Sequence, residues 1–260
     1  MTRIKRILIA SDPLMTKEKE QYSNRRWMRD ILTRPIRRAT GLSPESLASS
    51  RTDPALINRK TFFDLSDITV DLDATQFWYD ETRISQDSID YLVQFLGPED
   101  LVVGYEMSRQ TRTILDRLGT PWIDIWLHPV RFMDDVLFGF NASDPRVRDR
   151  LFAYDLDEDS MYLYADRIRV QTYKGWRRVE ADAKPNSALF VGQMMNDKSV
   201  CLDGKMLTLL DFKDRFSEIA REHGRIYYSR HPYLKSGDEA VLKFVKSFKN
   251  VEMTREASYR

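Results

Sequence analysis

Cysteine is almost absent. Cys201 stands alone among 260 residues, so no disulfide can form within the chain, which fits a reducing compartment. A nucleophilic role for it needs a nearby base, and the surrounding sequence offers none, so a structural cysteine is the expectation. No apolar run approaches the ~20 residues of a membrane-spanning helix. The short run at 7–10 is broken by Ser11-Asp12-Pro13, too soon for the core of a signal peptide. Net charge is also lacking: 41 Lys and Arg against 40 Asp and Glu give +1, without a global pull toward nucleic acid. There is no P-loop, no G-x-G-x-x-G, no H-E-x-x-H and no paired C-x-x-C, which disfavours a P-loop kinase, a common dehydrogenase and a zinc hydrolase. The expectation is a cytoplasmic protein whose recognition relies on local patches.

What is present suits a folded α/β chain. Hydrophobic residues make up 42% and aromatics 12%, enough for a substantial core and far above a disordered composition. Short apolar runs alternate with amphipathic stretches. RILIA (6–10), LVVGY (101–105) and WIDIWL (122–127) read as strands. Residues 17–38 read as a basic helix stopped near Pro35, 43–60 as loop, 85–96 as a helix capped by Ser85, and 109–118 as a helix closed by Gly119. Residues 144–174 are helical and charged, and 174–187 form a polar linker. The alternation then restarts with ALFV (188–191), a helix over 206–223 with Gly224 at its C′ position, RIYYS (225–229), a helix over 238–248 and a strand from Asn250. Short strand–helix–strand connections predict parallel sheets. The expected organisation is two Rossmann-like domains, 1–184 and 185–260, the second with too few strands for a complete doubly wound sheet.

Ligands of such sheets collect beyond the carboxyl ends of strands, where loops and helix N-termini converge. That rule selects Ser11 and Asp12, then Glu106 and Ser108, then Asp124, His128 and Arg131. In the second half it selects Gly192, Gln193, Asn196, Asp197 and Lys198, and finally Ser229, Arg230, His231 and Pro232. GQMMNDKSV (192–200) and YYSRHPYLKSG (228–237) carry the densest chemistry, each a polar turn directly after an apolar strand.

Gly192-Gln193, then Asp197-x-Ser199, then Arg230-His231-Pro232 resemble the retaining β-Kdo transferases of bacterial capsule and O-antigen assembly. Pro121, the strand bearing Asp124, and then His128, Pro129 and Arg131 are similar to that group's N-terminal active-site strand. The resemblance covers about half the chain. It implies a GT-B-like architecture of two facing Rossmann-like domains, with an acceptor-side first domain and a donor-side second one. It also implies a CMP-activated donor sugar and no required metal, since a monophosphate is neutralised by a helix N-terminus and cations. Asp197 would be the nucleophile of a double displacement, and Asp124 or Glu106 the base toward the acceptor hydroxyl. His231 and Arg230 would hold the donor's phosphate or carboxylate, alongside Gln193, Lys198, Ser199, Ser229, His128 and Arg131. The implied partners are the nucleotide-sugar and an anionic or lipid-linked glycan.

Plainer readings stand beside these. Asp197 caps a turn, His231 and His128 are strand-end residues, Glu106 caps the next helix, and His223 complements a helix dipole. Asp71-Leu72-Asp73 and Asp155-Leu156-Asp157 have a metal-binding spacing but sit among solvated charges. Arg25, Arg26, Arg29, Arg34, Arg37 and Arg38, with Tyr22 and Trp27, form a solvated face, a patch for anionic glycan, or a peripheral contact with the inner membrane surface. Two further function classes remain: a transferase using a UDP- or GDP-sugar, and a non-catalytic glycan-binding or scaffolding module.

Overall fold

The computed structural model describes residues 3–73, 77–128, 136–154, 157–175, 184–194, 197, 200–202, 205–231, 234 and 236–254. The chain divides into two compact α/β units, Met1–Arg178 and Val179–Arg260.

The first unit is built on a five-stranded sheet. Its strands are β1 (Arg6–Ala10), β2 (Glu45–Ser46), β3 (Asp100–Tyr105), β4 (Trp122–Leu127) and β5 (Phe138–Ala142), in the order β2-β1-β3-β4-β5. The first four run parallel, as their apolar runs and helical connections predict. Alternation along β1 sends Ile7 and Ile9 to one face, against Met28 of α1 (Glu18–Thr40). Leu8 and Ala10 go to the other, which is covered by α2 (Arg59–Asp64), α3 (Gln86–Leu92) and α4 (Arg109–Arg117). The sheet is therefore doubly wound, with its switch point between β1 and β3. Arg6 pins that junction. It donates to both Asp100 carboxylate oxygens at 2.9 Å and to the Phe95 carbonyl at 2.8 Å.

Several expectations need correction. The first sheet is mixed, not parallel, because β5 returns antiparallel to β4. Gly139 and the short FGFNA run hide this strand in the sequence. α1 runs straight through Pro35 to Gly41, whose αL backbone (φ 74°) closes it by a Gly41 N–H bond to the Arg37 carbonyl. The stripe of Met28, Leu32 and Ile36 packed on the sheet outweighs the proline's lost donor. The supposed loop at 43–60 holds β2 and the start of α2. α5 (Pro145–Phe152) and α6 (Glu158–Gly175) complete the unit.

The second unit carries a three-stranded parallel sheet, β10-β9-β6, from β6 (Ser187–Val191), β9 (Arg225–Ser229) and β10 (Val251–Met253). A small hairpin of β7 (Cys201–Leu202) and β8 (Lys205–Met206) follows β6. The single helix expected over 206–223 is instead β8, a 3₁₀ turn at Leu209–Phe212 and α7 (Lys213–Glu222). Thr208 and Asp211 make a reciprocal capping box that starts the turn afresh. Gly224 does not take the αL conformation of a C′ glycine. Asn250 satisfies the end of α7 instead, its amide donating to the Ala220 and His223 carbonyls at 2.7 and 2.9 Å. α8 (Glu239–Val245) leads to β10. Phe190 stacks on Tyr228 across β6 and β9, and Phe216, Phe244 and Phe248 close the core.

No helix among the described residues is long and apolar enough to cross a membrane.

Candidate functional site

In the first unit the switch point gathers Asp12, Glu106, Ser108 and Asp124. Asp12 is fully buried. One of its oxygens accepts from the Leu14 and Met15 N–H groups and the Thr111 hydroxyl, and the other from the Ser108 N–H at 2.7 Å. It is thus a staple between the turns after β1 and β3. Asp124 is buried at mid-strand. Its Oδ1 accepts from the Met107 N–H at 2.8 Å, and its Oδ2 pairs with Arg112 at 2.9 Å.

Glu106 behaves differently. It lies exposed at the carboxyl end of β3 with φ 52°, a left-handed conformation unusual for a residue of its shape. Two contacts force this turn. The Met107 N–H must reach Asp124, and the Met107 side chain folds back over Gly104, where any Cβ would collide with it. Strain of this kind at a strand end is characteristic of working sites. Glu106 does not cap α4; Ser108 does, accepting from the Thr111 N–H at 3.1 Å.

In the second unit, β6 and β9 end side by side. The Gly192 N–H donates to the Ser229 carbonyl at 2.7 Å, and a Cβ at Gly192 would meet that oxygen at 3.1 Å and the His231 nitrogen at 3.5 Å. Gly192, Gln193, Ser229, Arg230 and His231 are therefore neighbours, as expected from the strand-end rule. Arg230 is forked onto Asp238, Nε to Oδ2 at 2.8 Å and an Nη to Oδ1 at 2.6 Å. The buried carboxylate raises the guanidinium pKa, chiefly through that hydrogen bond. Burial likewise raises the Tyr228 phenol.

A cavity of about 350 Å³ opens at the carboxyl end of β6. Gly192, Gln193, Met194, Thr208, Tyr228 and Asp238 are among its lining, and its walls are mostly apolar. Asp197 is half-buried in the following segment, its carbonyl accepting from the Val200 N–H at 3.1 Å. Lys198, Ser199 and Arg131 lie outside the described residues, as do Asn196, Pro232, Asp155 and Leu156.

His128 continues β4, its N–H bonded to the Leu137 carbonyl at 2.9 Å, and it borders a groove with Trp126 and Phe138. The larger hollow of about 700 Å³ lies at the opposite, amino-terminal end of β4. Its charges are spent locally, Asp144 on Arg146 and Asp116 on the Trp122 indole.

Asp71 and Asp73 form an exposed turn, Asp73 pairing with Arg51 at 2.7 Å. Asp157 accepts from the Ser160 N–H at the start of α6. Among the described residues no three His, Cys, Asp or Glu side chains gather as a metal site. Trp27 of the basic helix packs edge-on against Tyr105, so of the two aromatics only Tyr22 accompanies the exposed arginines.

Asp238 and Thr208 were not singled out in the sequence. Asp238 precedes a seven-residue helix and looks there like an ordinary cap, and Thr208 was submerged in an apparent long helix.

No family model, curated protein or solved structure matches this chain.

Proposed function

We propose that the chain is a glycosyltransferase of GT-B type that moves a Kdo-type sugar from a CMP-activated donor to a growing bacterial surface glycan. The observation that carries this reading is the cavity at the β6 carboxyl end. It combines apolar walls, suited to a base or sugar face, with the Gly192–Gln193 turn, and the rigid Arg230 fork and His231 stand at the adjoining strand end. The motif resemblance around Asp197 and Arg230-His231 supplies the Kdo branch.

In this mechanism an Asp197 oxygen attacks the donor's anomeric carbon, and CMP departs with the electrons of the broken C–O bond. The acceptor hydroxyl then gives its proton to a base and displaces Asp197, so configuration is retained. Of the two carboxylates that the resemblance offers for that base, Asp124 has both oxygens engaged, by Met107 and Arg112. Arg230, through the N–H groups that Asp238 leaves over, and His231 would hold the donor's phosphate or carboxylate by hydrogen bonds.

A thermal-shift panel of CMP, CDP, UDP and GDP tests the donor. A ligand at a hundredfold excess over its Kd adds about 2.7 kcal/mol to stability. Selective stabilisation by cytidine nucleotides supports the reading, and a uridine or guanosine preference redirects it to a UDP- or GDP-sugar. Asp197→Asn then tests the chemistry. Loss of a covalent nucleophile raises the barrier by on the order of 5 kcal/mol or more, whereas loss of a turn cap leaves turnover nearly intact.

A second reading, a non-catalytic glycan-binding module, is favoured by two ion pairs. Asp124–Arg112 and Arg230–Asp238 occupy charged groups that catalysis would otherwise use. Silence toward all four nucleotides would select it.

A further inference from the structure

The groove beside β4 and β5 includes His128 at one end, but its other walls take no part in the chemistry above. It encloses about 510 Å³ and is walled by Trp126, Phe138, Phe140, Phe152 and Tyr154, with Arg148 of α5 among them. Phe152 and Tyr154 are 71% and 89% exposed, a costly placement for rings that only fill a core. Trp126 pairs with Gly139 across the strands, and a Cβ at Gly139 would meet the indole at 2.5 Å. The glycine lets the indole settle against the neighbouring strand and fixes it there. The Arg148 guanidinium has no hydrogen-bond or ion-pair partner among the described residues, although Arg6, Arg51, Arg109, Arg112, Arg146 and Arg169 of the first unit are ion-paired.

We propose that this groove binds an anionic glycan. A pyranose presents a face of C–H groups carrying slight positive charge, which lies well on the negative face of an aromatic ring. Trp126 shares one sheet face with Gly139 while Phe138 and Phe140 lie on the other, so the rings border the hollow from both sides of the edge strand β5. Such an opening suits a solvated chain of units, while a small apolar ligand would need a closed pocket. Arg148 supplies the complement for a sugar carboxylate, a planar fork matched to a planar anion. Concavity favours a glycan over a lipid surface, which calls for protruding rings and clustered cations. The groove lies along the carboxyl-terminal half of β4, on the sheet end that also carries Glu106. Its glycan is therefore the acceptor, an assignment that rests on the transferase reading; binding itself does not.

The test is calorimetric titration of the full chain with a tetramer of α2,8-linked sialic acid and with neutral maltotetraose. The wild type should bind the acidic tetramer more tightly. Arg148→Gln should weaken the acidic tetramer about tenfold, the worth of one charge-assisted pair, and leave the neutral one unchanged. Phe152→Ala and Tyr154→Ala should weaken both. These side chains are exposed or half-exposed, and unchanged melting temperatures would verify folding. Absence of binding by the wild type, or equal binding by Arg148→Gln, overturns the proposal. Binding to phosphatidylglycerol vesicles but to neither sugar, lost in the Phe152 and Tyr154 variants, reassigns the groove to a membrane surface. A cytidine response without glycan binding defeats this inference alone. Glycan binding without any nucleotide response defeats the transferase reading alone.

Discussion

Replacing Asp124 by asparagine leaves Arg112 facing a neutral group from which it has lost its partner. Asp124→Asn should lower unfolding free energy by about 2 kcal/mol, less than for a fully buried pair because Arg112 reaches solvent. Glu106→Asn should do the reverse. Asparagine tolerates the left-handed backbone, so stability should hold or rise by up to about 1 kcal/mol, and under the proposed transferase mechanism with Glu106 as base turnover should fall. Urea denaturation of both variants separates the roles. A large stability loss in the Glu106 variant would make that side chain structural. Tyr79 gives a third case. Its phenol is buried without an acceptable hydrogen bond; Thr111 nearby spends its proton on Asp12. Burial foremost, then the negative fields of Asp12 and Glu81, push its pKa well above that of free tyrosine. The unfolded chain therefore loses this proton first, so stability present below pH 10 declines as pH rises beyond it. Tyr79→Phe should be neutral or stabilising by about 1 kcal/mol at pH 7 and should blunt that alkaline decline. A marked loss at pH 7 would reveal a partner for the hydroxyl.

At the scale of elements, the end of α7 depends on a residue beyond the next strand. Asn250→Ala strips acceptor satisfaction from the Ala220 and His223 carbonyls and should cost about 1–2 kcal/mol, read as a drop in the urea midpoint with an unchanged slope. A null result would mean that water replaces the amide. This cap also shows where sequence reading stops. Local signals placed β1, β3, β4, β6 and β9 because each is an apolar run bounded by polar turns. Ser85 and Gly119 were legible as caps because their partners lie within four residues. Asn250 acts over 27 to 30 residues, and Gly224 beside the helix drew the capping role by proximity alone. β5 escaped notice because Gly139 interrupts its pattern, yet that glycine exists for the sake of Trp126 opposite. The same limit applies to function. The apolar runs were enough to place Glu106, Gln193 and Arg230 beyond the carboxyl ends of strands. That Asp124 and Arg230 are engaged by Arg112 and Asp238 depends on side-chain geometry that no spacing reveals.

At the scale of the molecule, each unit has its own sheet and its own aromatic or aliphatic core, so each can be followed separately. The first unit carries a distant commitment in Asp12. Two of this carboxylate's donors, the Ser108 N–H and the Thr111 hydroxyl, come 96 and 99 residues later in the chain. A carboxylate missing these two donors resists leaving water, so β1 cannot settle into its buried place on its own. On the ribosome, synthesis runs from the N-terminus, and β1 is made long before α4 exists. The early chain must therefore wait, its first strand exposed, until Thr111 has emerged. Tension measured on stalled nascent chains should stay flat for every length that withholds Thr111 and rise once α4 and β4 are free. A pull at shorter lengths would mean that β1 finds shelter without them. For the cell, the stretch of translation from Ile7 to Thr111 is then the interval in which this protein most needs a chaperone.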